Sequence, residues 1–151
     1  MGKILILYAS TTGNTQMVAQ TIYKVLTDIG KTVDIKNVSE NPELHFQDYD
    51  ALLIGASTWD EGLINYLMTD YLVSYFSNPE NTMLTGKKFA AFGCGESTYE
   101  HFCDAIPKLE EMFAKYGVQI LQPGLKIDFD PQTEENLKMT EEWATKLLPL
   151  L

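Results

Sequence analysis

Hydrophobic positions along this chain repeat with two different periods. Ile4–Leu7, Leu52–Ile54 and Phe89–Phe92 are short runs of consecutive apolar residues, the pattern of strands covered on both faces. Thr32–Lys36 instead alternates, with Val33 and Ile35 on one side, as an edge strand does. The strands expected from this pattern are Lys3–Tyr8, Thr32–Val38, Ala51–Ala56, Lys87–Gly93 and Val118–Ile127. Gln122-Pro123-Gly124 interrupts the last, so it should be broken or bulged and lie at an edge. Longer segments with helical spacing separate the strands. The first runs from Asn14 to Ile29, with Gly30 placed as a C′ cap, and the second covers Leu63–Phe76. A third starts near Cys103 or Asp104, because Pro107 fits only a first turn, and ends near Tyr116 before Gly117. The fourth opens with Asp130 as N-cap and Pro131 at N1, carrying Leu137, Trp143 and Leu147 toward the sheet. No helix follows the second strand. Alternating strands and helices predict one α/β domain over residues 1–151, built on a five-stranded parallel sheet.

Charge narrows the classes of partner. The net charge is −10 and all eleven basic residues are lysines, which argues against nucleic-acid binding and for steering toward basic partners. Cys94 and Cys103 form no CxxC pair, so they read as packing residues rather than a disulfide framework or zinc site. His45 and His101 stand without metal-ligand company. The apolar run after Met1-Gly2-Lys3 covers only Ile4 to Tyr8, too short for a signal peptide or membrane span, so a soluble cytoplasmic protein is expected.

In an open parallel sheet, ligands bind beyond the carboxyl ends of the strands, near the switch in strand order. Three loops there are unusual. Ser10-Thr11-Thr12-Gly13-Asn14-Thr15 joins a buried strand to a helix start and offers four hydroxyls beside unpaired helix N–H groups, which suits a phosphate. It has neither the lysine of a Walker A loop nor the GxGxxG of a dinucleotide fold. Ser57-Thr58-Trp59-Asp60-Glu61-Gly62 exposes a tryptophan in a polar loop. Cys94 to Cys103 holds a second aromatic, Tyr99, among small and acidic residues. Two aromatics on adjacent loops beside a phosphate cradle suggest a planar heteroaromatic ring between them, with the N–H groups of Gly95 and Glu96 available to ring acceptors.

Ser10–Thr15 resembles the phosphate loop of flavodoxins. Ser57-Thr58-Trp59 and Gly93–Cys103 resemble that family's two isoalloxazine loops, and the similarity continues through Gly124–Asp128. No long insertion interrupts the last strand, as in the short-chain branch. The resemblance implies a flavodoxin-like three-layer α/β/α sandwich with strand order 2-1-3-4-5, and flavin mononucleotide (FMN) as cofactor. It places the phosphate on Ser10, Thr11, Thr12, Gly13, Asn14 and Thr15. It surrounds the ring with Ser57, Thr58, Trp59, Asp60, Glu61 and Gly62 from one loop and Cys94, Gly95, Glu96, Tyr99, Phe102 and Cys103 from the other. Trp59 and Tyr99 would take opposite faces. Asp60 departs from the pattern, since many short-chain members have glycine directly after the tryptophan.

With Asp60, Glu61, Glu96, Glu100 and Asp104 expected around it and no lysine between Lys3 and Lys24, a reduced anionic ring would be repelled. The expected function is therefore a low-potential one-electron carrier cycling mainly between semiquinone and hydroquinone. No acid–base pair or nucleophile constellation points to substrate turnover. The same carboxylates would dock basic-faced redox proteins, such as a flavodoxin reductase and acceptor oxidoreductases, onto a monomer. An FMN-dependent NAD(P)H quinone or nitro reductase is the enzymatic alternative, but no second Gly-rich nucleotide loop is present. A phosphoacceptor receiver domain would need an aspartate where Gly55-Ala56-Ser57 stands. A flavodoxin-like activator of ribonucleotide reductase remains open.

Overall fold

The computed structural model describes residues 2–59 and 62–151. Its central sheet is built from β1 (Lys3–Ala9), β2 (Thr32–Asn37), β3 (Ala51–Ala56), β6 (Lys88–Gly95), β7 (Gln119–Ile120) and β8 (Leu125–Asp128). Between β3 and β6 lies a separate two-stranded piece, β4 (Thr58–Trp59) and β5 (Leu63–Ile64), paired antiparallel. The helices are α1 (Asn14–Asp28), α2 (Tyr66–Phe76), α3 (Ala105–Ala114) and α4 (Glu134–Leu147).

All ladders of the main sheet are parallel, in the order β2-β1-β3-β6, with β7 and β8 sharing the last position. Lys88 pairs with Gln119 at the start of β6, and Phe92 pairs with Leu125 further along. The expected fifth strand is thus present and broken at Gln122-Pro123-Gly124. Two bonds from α4 fasten the break. The Trp143 indole donates to the Pro123 carbonyl at 2.9 Å, and the Gln122 amide donates to the Trp143 carbonyl at 2.9 Å. Gly124 is required there, because a Cβ would fall 2.3 Å from the Ile106 side chain.

Alternation along the buried strands divides the interior into two layers. Leu5, Leu7 and Ala9 of β1 pack with Met68 and Leu72 of α2 and with Ile106, Leu109 and Phe113 of α3. Ile4, Ile6 and Tyr8 pack on the opposite face with Val18, Ile22 and Leu26 of α1 and with Trp143 and Leu147 of α4. This is the three-layer sandwich, with strand order 2-1-3-4-5 when β7 and β8 count as one position. No described helix is long and apolar enough to cross a membrane.

Helix ends agree with expectation in part. Gly30 closes α1 at φ 88, its N–H donating to the Thr27 carbonyl and that of Lys31 to the Leu26 carbonyl, a Schellman cap. α2 begins later than the expected Leu63. Leu63 and Ile64 are drawn into the β4–β5 hairpin, and the Asn65 side chain caps the helix by accepting from the Leu67 N–H. α4 begins later than Asp130-Pro131. Asp130 instead accepts the Gln132 N–H in a turn, and Thr133 is the N-cap, accepting from the Asn136 N–H. The α4 face that meets the sheet is Asn136, Thr140, Trp143, Ala144 and Leu147, with Leu137 only half-buried.

Candidate functional site

The carboxyl ends of β1, β3, β6 and β8 open into one cleft of ≈ 720 Å³. Its floor at β1 is the start of α1. The Ser10 hydroxyl accepts the Gly13 N–H at 3.0 Å, and Gly13 turns into the helix at φ 93. That φ suits a residue without Cβ. No side chain caps α1 and no acidic residue stands in its first turn, so its leading N–H groups and their positive dipole end are open to an anion. Asn14 and Thr15, at the head of that turn, line the cleft together with Ser10, Thr11 and Thr12.

The wall beyond β3 is held by buried polar contacts. Asn65, fully buried, donates its N–H to the Ser57 carbonyl at 2.9 Å and its side-chain amide to the Ser57 hydroxyl at 3.1 Å. The Thr58 hydroxyl accepts the Ala105 N–H at 2.9 Å and thereby caps α3 from a neighbouring loop. Trp59 sits edge-to-face against Tyr66, ring centres 5.1 Å apart at 75°. The hairpin and Tyr66 therefore position the indole before any ligand arrives.

Opposite stands the loop after β6. Gly95 lies so close to it that a Cβ would come within 3.2 Å of both the Cys103 N and Sγ. Cys103 itself takes φ 52. Asp128 at the end of β8 accepts from the Ser97 N–H at 2.8 Å and the Ser97 hydroxyl at 2.5 Å, which fastens the rising half of the loop. Tyr99 projects at the rim, 67% exposed. On the falling half, His101 Nδ1 and Asp104 Oδ2 lie 2.9 Å apart, and both crowd Gly62, where a Cβ would be 3.0–3.1 Å away. The two loops thus meet at Gly62. Burial pushes the Cys94 thiol up to about 12, helped by its neighbour Cys103, and burial likewise pushes Cys103 up to about 12. Both remain neutral thiols at physiological pH.

Ser10, Thr11, Thr12, Asn14, Thr15, Ser57, Thr58, Trp59, Cys94, Gly95, Glu96, Tyr99, Phe102 and Cys103 come together as lining. Gly13 and Gly62 stand behind it as turn residues, both at positive φ. Asp60 and Glu61 lie outside the described residues. Glu100 and Asp104, expected around a ring, do not line the cleft, and Asp104 is engaged by His101. Among the described residues, the carboxylates that line the cleft are Glu96 and Asp130. Sequence reasoning missed Asp130, Phe129 and His101 as lining residues. Reading Asp130-Pro131 as a helix start hid a fourth loop at the carboxyl end of the sheet, and that topological position was the signal available. His101 has no metal-ligand company in the sequence, but its place in the aromatic loop is a signal for the cleft.

A family model for flavodoxin matches residues 6–143. The chain belongs to the flavodoxin family. A flavodoxin from Maridesulfovibrio salexigens is 38% identical over 148 residues, covering 97% of this chain and 100% of that one. The crystal structure of oxidised flavodoxin 1 from Bacillus cereus matches with TM-score 0.89 at 27% identity, covering 99% of both chains. Fusobacterium nucleatum flavodoxin, solved bound to flavin mononucleotide, shares the fold with TM-score 0.84 at 20% identity, covering 100% of this chain and 99% of that one. As in other doubly wound sheets, the flavodoxin cleft lies where strand order reverses, here between β1 and β3.

Proposed function

We propose that this flavodoxin binds one FMN in the cleft and carries single electrons at low potential between cytoplasmic redox proteins, without turnover of a substrate of its own. The observation that carries the reading is the donor set. Hydroxyls and uncapped helix N–H groups line the cleft together with aromatic residues, and among the described residues no lysine lines it. The volume lies within the roughly 300–1,000 Å³ typical of cofactor sites. A phosphate dianion fits the Ser10–Thr15 cradle, held by dipoles and hydroxyls rather than by a cation. Trp59 and Tyr99 supply flat apolar surface for a flavin ring and exclude water from it. FMN, when bound, supplies the one-electron chemistry.

The protein's own groups set the direction of the potential. Glu96 and Asp130 line the cleft with no fixed positive charge among the described lining residues, so negative charge added by reduction meets repulsion. Each ~1.4 kcal/mol of such destabilisation lowers a one-electron potential by roughly 59 mV. A net charge of −10 favours encounter with basic-faced partners, a flavin reductase as donor and oxidoreductases as acceptors. The test uses NADPH. The isolated holoprotein should not oxidise it, and adding a flavin reductase should reduce the bound flavin rapidly. Sustained NADPH oxidation by the protein alone would instead identify a quinone-reductase type of enzyme.

A further inference from the structure

The loop between β8 and α4 holds a residue in a conformation that its side chain opposes. Phe129 has φ 64, a left-handed backbone that costs any residue with a Cβ and that bulky residues rarely adopt. Three hydrogen bonds impose it. The Phe129 N–H donates to the Gly95 carbonyl at 2.8 Å. The Asn136 side-chain amide donates to the carbonyls on either side, Asp128 at 2.9 Å and Asp130 at 2.8 Å. Asn136 is itself buried in the first turn of α4, so the clamp belongs to the fold rather than to the side chain of Phe129.

Packing does not offset this strain. Phe129 is 49% exposed and joins neither core layer. Glycine would take the same backbone freely. Phe129 does line the cleft, its backbone N–H held on the Gly95 carbonyl and its chain neighbour Asp128 tied to Ser97. A strained, half-exposed aromatic side chain at the edge of a ligand cleft gains its contact when the ligand is present.

We infer that Phe129 is a further aromatic wall of the cofactor cleft, touching the flavin's apolar body beside Trp59 and Tyr99, an inference that rests on the FMN reading above. Its role is cofactor retention by ring contact, independent of the phosphate cradle.

The experiment compares apoprotein of the wild type, Phe129→Asn and Phe129→Tyr. Asparagine enters the left-handed region readily, so Phe129→Asn removes the ring and leaves the clamp satisfied. Dissociation constants are measured for FMN and for riboflavin, and apoprotein stability by urea unfolding. The expected result is that Phe129→Asn weakens both flavins by the same factor, about three- to tenfold, as for loss of one aromatic contact. Phe129→Tyr should bind as the wild type does, and the unfolding constant of the Phe129→Asn apoprotein should change by less than its flavin affinity. Unchanged flavin affinity in Phe129→Asn, with normal binding by the wild type, would overturn the inference and leave the FMN reading intact. A stability loss larger than the affinity loss would also overturn it, since the ring would then be a packing residue. Failure of the wild type to bind FMN would reject the FMN reading itself.

Discussion

Cys94 and Cys103 both line the cleft, yet burial leaves them chemically quiet. Each thiol is free, buried and raised from 9.0 to about 12. That rise disfavours each thiolate by roughly 4 kcal/mol at 1.36 kcal/mol per pH unit. At pH 8 about one thiol in 10⁴ is then ionised, against roughly one in ten for an ordinary cysteine, and the thiolate is the nucleophile. Alkylation of native apoprotein by iodoacetamide should accordingly run ~1,000-fold slower than in urea-unfolded protein. Intact-mass spectrometry of timed samples at pH 8, with and without urea, reads the rates directly. The pH dependence has a definite sign. Because the folded values lie above the unfolded one, the thiols favour the fold fully below pH 9, and that contribution is lost as pH rises from about 9 toward about 12. Alkylation of either cysteine within tenfold of its unfolded rate would refute the burial argument. It would also reopen a role for these thiols as redox partners.

Other consequences concern the cradle and the aromatic wall. Riboflavin should bind far more weakly than FMN, because each charge-assisted hydrogen bond to the phosphate is worth ~1.5–3 kcal/mol and the cradle offers several; equal dissociation constants would reduce Ser10–Thr15 to a helix cap. Gly13→Ala should lower apoprotein stability by about 1–2 kcal/mol in urea unfolding. The added Cβ meets nothing within 4 Å at φ 93, so the loss would be backbone strain alone, and an unchanged midpoint would contradict it. FMN added to apoprotein should quench the emission of Trp59 strongly. Trp143, buried on the sheet-facing side of α4, should keep some signal, so a Trp59→Phe variant should show little quenching if Trp59 is the one against the ring.

Much of the fold was legible because burial on two faces leaves a plain mark. Ile4–Leu7, Leu52–Ile54 and Phe89–Phe92 could hardly be anything but central strands, and Gln122-Pro123-Gly124 marked the break that separates β7 from β8. Helix starts were harder to read. Leu63 and Ile64 suit an amphipathic helix and a strand equally, and the choice was made by Asn65, whose buried bonds to Ser57 fold the segment back as a hairpin. Asp130-Pro131 carries a good capping signal, but Thr133 caps α4 and leaves Phe129 and Asp130 in the cleft. At the site, composition revealed the three loops that lie consecutively along the first, third and fourth strands. It could not reveal contacts between loops distant in sequence, such as Thr58 capping α3 or His101 with Asp104 closing over Gly62. Local patterns record what a residue's own segment wants, and these contacts are decided by tertiary neighbours.

We propose that this cleft holds FMN and makes it a strong one-electron reductant. Stepwise reductive titration of the reconstituted holoprotein with dithionite, against low-potential indicator dyes, tests it most directly. Two resolved one-electron steps are predicted, with a long-wavelength absorbance rising and falling between them and the second step well below the potential of free FMN. A single two-electron step at the potential of free FMN would contradict the account.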